Sequence, residues 1–281
     1  MNIADVYKQF PTQDSCIAHL ENVRWHGKPI CPYCKSTKVT SLKKEKRHHC
    51  NNCNTSFSVT VATIFHKTKV DFQKWFVAIS LILNAKKGIS ARQLSRDISV
   101  NKDTAWYMAM RIRRAMKEYG ELLQGIVEVD ETFVGGKTHG KGRGYMQGNK
   151  TPVFGMVERN GVVRAKPVKH ANGKTLKPII RQNVSRDAII MSDEFGGYKD
   201  LKLEFKDHKI VVHSKKQYVS GIAHTNTIEG FWALLKRGIM GQYHQVSARH
   251  LGKYVNEFCY RHNNRKNDFV FQQTISRALG V

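Results

Sequence analysis

The sequence predicts an α/β protein in which a mixed β-sheet with flanking helices follows a cysteine-rich module and a helical module. Three observations support this prediction. Two Cys-x-x-Cys pairs lie near the amino terminus, apolar residues then recur with helical spacing, and short apolar runs with turn signals follow. We expect three domains: residues 1–66 with an N-terminal helix and a zinc ribbon, residues 67–120, and residues 121–281.

The four paired cysteines have the spacing of a zinc ribbon. Cys31 and Cys34 form one pair, and Cys50 and Cys53 form the other. Two such pairs complete a tetrahedral thiolate site that leaves no position open for water, so we expect a structural Zn²⁺. Four free thiols or a redox pair are the alternatives. The basic segment between the pairs either contacts the DNA backbone or is a solvated face.

Three helices are predicted in the second domain. Asp71, Ser90 and Asn101 stand at their starts, where side-chain caps are favoured. The second and third helices are short and joined by a tight turn, which is typical of a helix-turn-helix whose second helix enters the major groove. An ordinary helical bundle is the alternative. If the motif is real, the residues that face DNA are Lys102, Thr104 and Tyr107.

The third domain reads as three antiparallel strands, a helix, a strand, a helix, a strand and a helix. The first strand covers residues 126–134, and Asn160-Gly161 is a hairpin turn between the second and third. The fourth and fifth strands cover residues 187–193 and 208–213. This order matches the ribonuclease-H-like fold, in which the first and fourth strands lie side by side.

Two of these strands carry an aspartate, a residue that strands disfavour. Asp130 and Asp193 would become neighbours in the predicted sheet, and Glu229 heads a helical pattern further along the chain. Three such carboxylates can hold two Mg²⁺ or Mn²⁺ ions about 4 Å apart for phosphoryl transfer. Lys236 lies two turns beyond Glu229 on the same helix face and would contact substrate phosphate.

The third ligand remains open between two residues. Asn226 and Glu229 are three apart and share a helix face, and a carboxylate is the better Mg²⁺ ligand. Asn226-x-x-Glu229 is also a helix-capping box, however, in which Glu229 folds back on the backbone and Asn226 becomes the alternative ligand. The other acidic residues near the site would support it or lie on the surface: Glu128, Glu131 and Glu194. Two histidines would position water or phosphate, or simply pack: His213 and His224.

The chain resembles the ISXO-type bacterial insertion-sequence transposases, relatives of the Merlin transposons within the DDE class. The resemblance is carried by the segments around Asp130 and Asp193, by residues 224–236, by the zinc ribbon and by Arg261-His-Asn-Asn-Arg265, and it covers essentially the whole chain. It implies recognition of terminal inverted repeats, metal-dependent cleavage at the 3′ ends and strand transfer into target DNA. Some relatives have Asn in place of the third Glu, which keeps Asn226 open.

Composition points to the same partner. Lys and Arg exceed Asp and Glu by 25, which favours a polyanion, and nucleic acid before membrane; a ribosome-associated or merely basic protein is the alternative. No apolar run reaches the ~18 residues of a membrane span. We expect a cytoplasmic, nucleoid-associated bacterial protein that binds double-stranded DNA as a homodimer or higher oligomer. Further phosphate contacts would come from Arg143 in a glycine-rich loop and, with surface solubility as the alternative, from Arg261 and Arg265.

Two other functions fit the same motifs. The first is a zinc-ribbon and helix-turn-helix regulator that binds DNA without catalysis. The second is a ribonuclease-H-like nuclease that cuts DNA but does not join it.

Overall fold

The computed structural model describes residues 1–135, 150–211 and 224–281. Contacts divide the chain into two compact units, Met1–Met116 with Lys266–Val281, and Lys117–Arg265. The cysteine-rich module and the helical module therefore share one unit, and the division into three domains stays a prediction. Within the described ranges, no helix is both long enough and apolar enough to cross a membrane.

The first unit combines helices with a small antiparallel sheet. Its strands lie in the order β1 (Val39–Leu42), β2 (Arg47–Cys50) and β3 (Thr55–Phe57). Its helices up to the unit boundary are α1 (Ile3–Gln9), α2 (Gln13–Trp25), α3 (Phe72–Asn84), α4 (Ala91–Asp97) and α5 (Lys102–Ala115). The three helices predicted for the second domain are thus confirmed. Ser90 and Asn101 cap α4 and α5 as predicted, whereas Asp71 makes no side-chain cap hydrogen bond.

A helix that the sequence analysis did not assign brings the chain back to this unit. It is α9 (Val270–Leu279), and it buries Phe271 and Ile275. The ring of Phe271 meets Phe76 edge-on, with the two centroids 5.8 Å apart. These buried contacts explain why the last residues, which we expected to belong with the sheet of residues 121–281, group with the N-terminal helices instead.

The second unit contains a five-stranded mixed sheet. Its strands are β4 (Ile126–Val134), β5 (Thr151–Glu158), β6 (Val163–Pro167), β7 (Ile189–Asp193) and β8 (Asp207–Val211). They lie in the order β6-β5-β4-β7-β8, with β4, β5 and β6 antiparallel and β4, β7 and β8 parallel. The first strand therefore lies between the second and the fourth, as the ribonuclease-H-like fold requires, and the predicted fold class is confirmed.

Helices cover both faces of this sheet. On one face, apolar side chains of β4 and β5 pack against α6 (Gly173–Asn183). On the other, α7 (Asn226–Gly238) lies over β4 and β5, while α8 (Ala248–Asn263) lies over β6. Side chains alternate along a strand, so the even-numbered residues of β4 face α7. That alternation puts Glu128 and Asp130 on the same side as α7.

Glu128 fixes the start of α7. Its side chain is 0% exposed, and Oε2 accepts the backbone N–H of Thr227 at 2.9 Å and of Ile228 at 3.1 Å. Its Oε1 accepts the Thr227 hydroxyl at 3.0 Å and Nε of Arg159 at 3.1 Å. The first N–H groups of a helix lack internal partners and carry partial positive charge. A strand residue thus supplies the cap that α7 lacks in its own sequence.

The structure decides between two pairs of alternatives that the sequence left open in this region. The helix begins at Asn226 with Thr225 as its N-cap residue, so Glu229 is one position too late for a capping box, and the Thr225 hydroxyl donates to Glu229 Oε1 at 2.7 Å instead. Glu128 does not lie on the surface either. Its charge is neutralised by Arg159 and by the helix start, while Nδ1 of His224 lies 3.2 Å away.

We predict that Glu128→Gln lowers the free energy of unfolding by about 3 kcal/mol, because it removes the fully buried carboxylate that pairs with the half-buried Arg159 and caps α7. The matched control is Glu204→Gln, which removes a carboxylate bound by Arg181 and Arg186 nearer the surface and costs less than about 1 kcal/mol. Urea unfolding followed by circular dichroism measures both. Equal losses in the two variants would contradict the role given to Glu128.

Candidate active site

The four ribbon cysteines form a compact thiolate cluster. Sγ of Cys31 lies 3.7 Å from that of Cys53, Sγ of Cys34 lies 3.5 Å from that of Cys50, and all four lie within 4.8 Å of one another. A tetrahedron with Zn–S bonds of about 2.3 Å requires sulfur–sulfur distances near 3.8 Å. The donor set therefore fits a structural Zn²⁺, and no other such His, Cys or carboxylate cluster occurs among the residues that the structure describes.

His48 supports this cluster from inside the ribbon. Alternation along β2 turns its ring inward, where it packs edge-on against Trp25 and stacks on Phe57. Its Nε2 lies 2.8 Å from Glu21. The side chain is 5% exposed, so His48 helps to hold the ribbon on α2.

The two aspartates lie on adjacent parallel strands, Asp130 in the middle of β4 and Asp193 as the last residue of β7. Glu128 pairs with Met191, and the same register continued by two residues sets Asp130 level with Asp193. Paired residues of parallel strands point to the same face, so both aspartates face α7. The charge of Asp193 acts on Asp130 and contributes to its raised pKa.

The ionised form of Asp130 is destabilised by its surroundings. Burial, followed by the charges of Glu131 and Asp193, raises its pKa to about 7. A hydrogen bond from the backbone of Glu131 and another from Trp232 Nε1, which is 2.9 Å from Oδ2, oppose the rise without cancelling it. Clustered carboxylates that destabilise one another are typical of sites that bind cations or move protons.

Glu131 follows Asp130 in the chain, but its side chain lies on the other face of β4. The buried hydroxyl of Tyr198 donates to its Oε2. Burial raises the pKa of Glu131, and the charge of Asp193 adds to the rise. Asp193 in turn accepts the N–H of Phe195 at 3.1 Å. Tyr198 was not singled out from the sequence, because it follows Asp193 in a turn whose path depends on the fold.

The helix-borne candidates lie along α7. Asn226 and Glu229 are exposed in its first turn, and Lys236 is exposed two turns beyond Glu229. Trp232, which contacts Asp130, is one turn after Glu229.

The candidate DNA contacts have different surroundings. Lys102 opens α5, with its Nζ 3.6 Å from Asp103, and the N–H of Thr104 is bonded to the capping Asn101. Tyr107 is exposed, with the Arg111 guanidinium 4.2 Å from its ring centroid.

Arg261 is placed differently from what the sequence suggested. Its side chain is only 9% exposed and its guanidinium is bonded to the fully buried Glu257, which argues against a phosphate contact. Arg265 is exposed. Arg143 and His213 lie outside the described residues.

Fold and site together define a ribonuclease-H-like protein in which Asp130 and Asp193 lie on the adjacent first and fourth strands of the sheet. Residues 122–263 match the family described as the ISXO2-like transposase domain, and residues 11–56 match a transposase zinc-ribbon domain. The chain belongs to the ISXO2-like transposase family.

Relatives from two organisms and one solved structure are similar to this chain. An uncharacterized protein in transposable element ISH50 of Halobacterium salinarum is 27% identical over 273 residues, which cover 90% of this chain and 92% of the relative. An uncharacterized transposase-like protein of Haemophilus influenzae is 30% identical over 97 residues, 34% of this chain and 77% of the relative. Among solved structures, the Mos1 strand transfer complex gives a TM-score of 0.33 at 12% identity, covering 73% of this chain and 75% of that one.

We predict that zinc content depends on the ribbon cysteines. Cys50→Ser should lower bound zinc from one per chain to a small fraction and unfold the ribbon, because three thiolates hold the ion far less tightly. Cys16→Ala is the control, since Cys16 is buried in α2 away from the cluster. Elemental analysis of the purified variants gives the answer; full zinc retention in Cys50→Ser would refute the assignment.

We predict that added Mg²⁺ raises Tm more at pH 8 than at pH 6. A raised carboxyl pKa means that the folded state is favoured when Asp130 is protonated, and this contribution is lost as pH rises through about 7. A bound cation offsets this loss of stability only at a pH at which Asp130 is ionised.

Thermal unfolding with and without Mg²⁺ provides the measurement. Asp130→Asn should raise the metal-free Tm at pH 8 and remove the pH-dependent Mg²⁺ effect, whereas Asp187→Asn, at an exposed carboxylate, should change neither. A Mg²⁺ effect that persists in Asp130→Asn would place the cation elsewhere.

Proposed function

We propose that this transposase binds the ends of its element, cleaves them and joins them to target DNA, with Asp130, Asp193 and Glu229 holding two Mg²⁺ or Mn²⁺ ions. The observation that carries the proposal is the parallel pairing of β4 with β7, whose register at Glu128 and Met191, continued by two residues, would set Asp130 beside Asp193. The raised pKa of Asp130 supports it, because a cation would stabilise the ionised carboxylates.

The donor set suits a hard divalent cation. All the candidate ligands present oxygen, which Mg²⁺ and Mn²⁺ prefer. Such ions would supply activation of the attacking oxygen and relief of charge on the leaving oxygen. The contribution of the chain is to hold the carboxylates in place before DNA arrives, so that no reorganisation is needed during the reaction.

The orientation of α7 favours Glu229 over Asn226 as the third ligand. Ile228 and Trp232 rest above Gly155 of the sheet, and Phe231 packs in the cluster shared with α8. At about 100° per residue, Glu229 projects on the flank away from α8, which is the side of β7 and Asp193. Asn226 lies about 60° further round, toward solvent.

The position of Lys236 follows from the same helical geometry. Two turns beyond Glu229, it occupies the same flank of α7 about 11 Å further along the axis. An exposed ammonium there would meet a DNA phosphate next to the one held at the carboxylates.

The other unit would supply most of the binding. In the helix-turn-helix interpretation α5 enters the major groove, with Lys102 and Thr104 near its N-terminus and the Arg111–Tyr107 pair further along. The net charge of +25 supports a large phosphate contact, to which Arg143 and Arg265 would contribute. Joining two element ends requires at least two copies of the chain on DNA.

A strand-transfer assay tests the function directly. Labelled duplexes carrying the element ends, a target plasmid and Mg²⁺ should give both cut ends and joined product, and Asp130→Asn and Asp193→Asn should each reduce both by roughly 10³-fold. DNA binding without cutting would support a regulator instead. Cutting without joining would support a hydrolytic nuclease.

The same assay assigns the third ligand. Glu229→Gln should lose activity to the same extent as the aspartate variants, while Asn226→Ala keeps activity within about tenfold because Asn226 faces away from the aspartates. Loss in Asn226→Ala with retention in Glu229→Gln would reverse the assignment.

A further inference from the structure

The indole of Trp232 bridges α7 and the candidate metal site. Its Nε1 donates to Oδ2 of Asp130 at 2.9 Å, and the side chain is only 4% exposed. Trp232 is a residue of the helix that carries Glu229, whereas Asp130 belongs to the central strand. One hydrogen bond therefore joins the strand-borne and helix-borne halves of the site.

Gly155 makes room for this contact. It pairs with Asp130 across β4 and β5, and a Cβ built there would lie 2.5 Å from two ring atoms of Trp232. Real Cβ atoms do not approach so closely. The backbone of Gly155 does not have the positive φ that favours glycine, so it is space for the indole, not conformation, that requires a glycine at this position.

The axial spacing of the contacts agrees with a helix that runs along the strand. The distance along α7 between the N–H groups that bind Glu128 and the position of Trp232 is about 7 Å. From Glu128 to Asp130 is also about 7 Å along β4. The two strand carboxylates can therefore hold α7 at two points, one at its start and one at the indole, with Glu229 between them.

We propose that Trp232 is a positioning residue that holds Asp130 Oδ2 and so directs Oδ1 toward the bound cation. Gly155 leaves the space that the indole needs to reach Asp130. This inference rests on the proposed function for the identity of the ligands. Groups that orient a metal ligand by a hydrogen bond typically change metal affinity or activity about 10- to 100-fold when they are removed.

The test removes the N–H while keeping the ring. Trp232→Phe, and the isosteric replacement of Trp232 by benzothienylalanine, should each weaken Mn²⁺ binding to the full-length protein about 10- to 100-fold. Mn²⁺ titration followed by electron paramagnetic resonance measures this without DNA. In the strand-transfer assay, the Mg²⁺ concentration for half-maximal rate should rise by a similar factor, and saturating Mg²⁺ should restore part of the rate.

Two further variants separate positioning from packing. Gly155→Ala should reproduce the loss, since it displaces the indole. Phe258→Leu, which removes an aromatic ring of α8 from the same apolar cluster, should leave Mn²⁺ affinity within about threefold of the wild type.

Each outcome decides the matter. Unchanged Mn²⁺ affinity in the benzothienylalanine protein would overturn the role of Trp232 even if the wild type is a functional transposase. A wild type that binds Mn²⁺ more tightly than the Trp232 variants do, and yet neither cuts nor joins DNA, is a second outcome. That result would uphold the positioning role and refute the proposed function. If the wild type binds no Mn²⁺ that depends on Asp130, both fail.

Discussion

A buried carboxylate at the start of one helix organises the site. Glu128 caps α7 from the neighbouring strand, and its charge is matched by Arg159 and by the partial charge of the helix N-terminus. A further bond from Arg159 to the backbone carbonyl of His224 secures the residue that leads into the helix. Because a helix is rigid over three turns, fixing its first turn on β4 also sets where Glu229 lies relative to Asp130.

Close to Glu128, the fold places carboxylates where their ionised forms are destabilised. Asp130, Glu131 and Asp193 are close together and partly buried. Burial raises the pKa values of Asp130 and Glu131, and the neighbouring negative charges add to the rise. Tyr198 and Trp232 hold two of these groups from opposite faces of β4. Such an arrangement lowers the stability of the folded protein at neutral pH in the absence of a counter-ion. A bound divalent cation would therefore stabilise it strongly.

Much of the fold followed from local patterns. Turn residues and hydrophobic periodicity predicted the strands and helices of the sheet unit, and strand order then made Asp130 and Asp193 neighbours. The zinc site followed from spacing alone. The start of α7 did not, because its cap comes from Glu128, about 100 residues earlier in the chain, and an Asn-x-x-Glu pattern suggested a local cap instead.

The same limit explains the other differences. Arg261 looks like a surface cation in the sequence, and only the fold shows its partner Glu257 inside the unit. Gly155 carries no chemistry of its own and becomes informative only once Trp232 is seen above it. Contacts between distant segments, unlike periodicity, leave no signal in a single sequence.

Anomalous diffraction from crystals of the protein grown with Mn²⁺ would locate any ions that the carboxylates hold. We expect two Mn²⁺ peaks about 4 Å apart, with Asp130 between them, Asp193 on one and Glu229 on the other. Peaks that bypass Asp130, or ions bound without any ligand from α7, would contradict it.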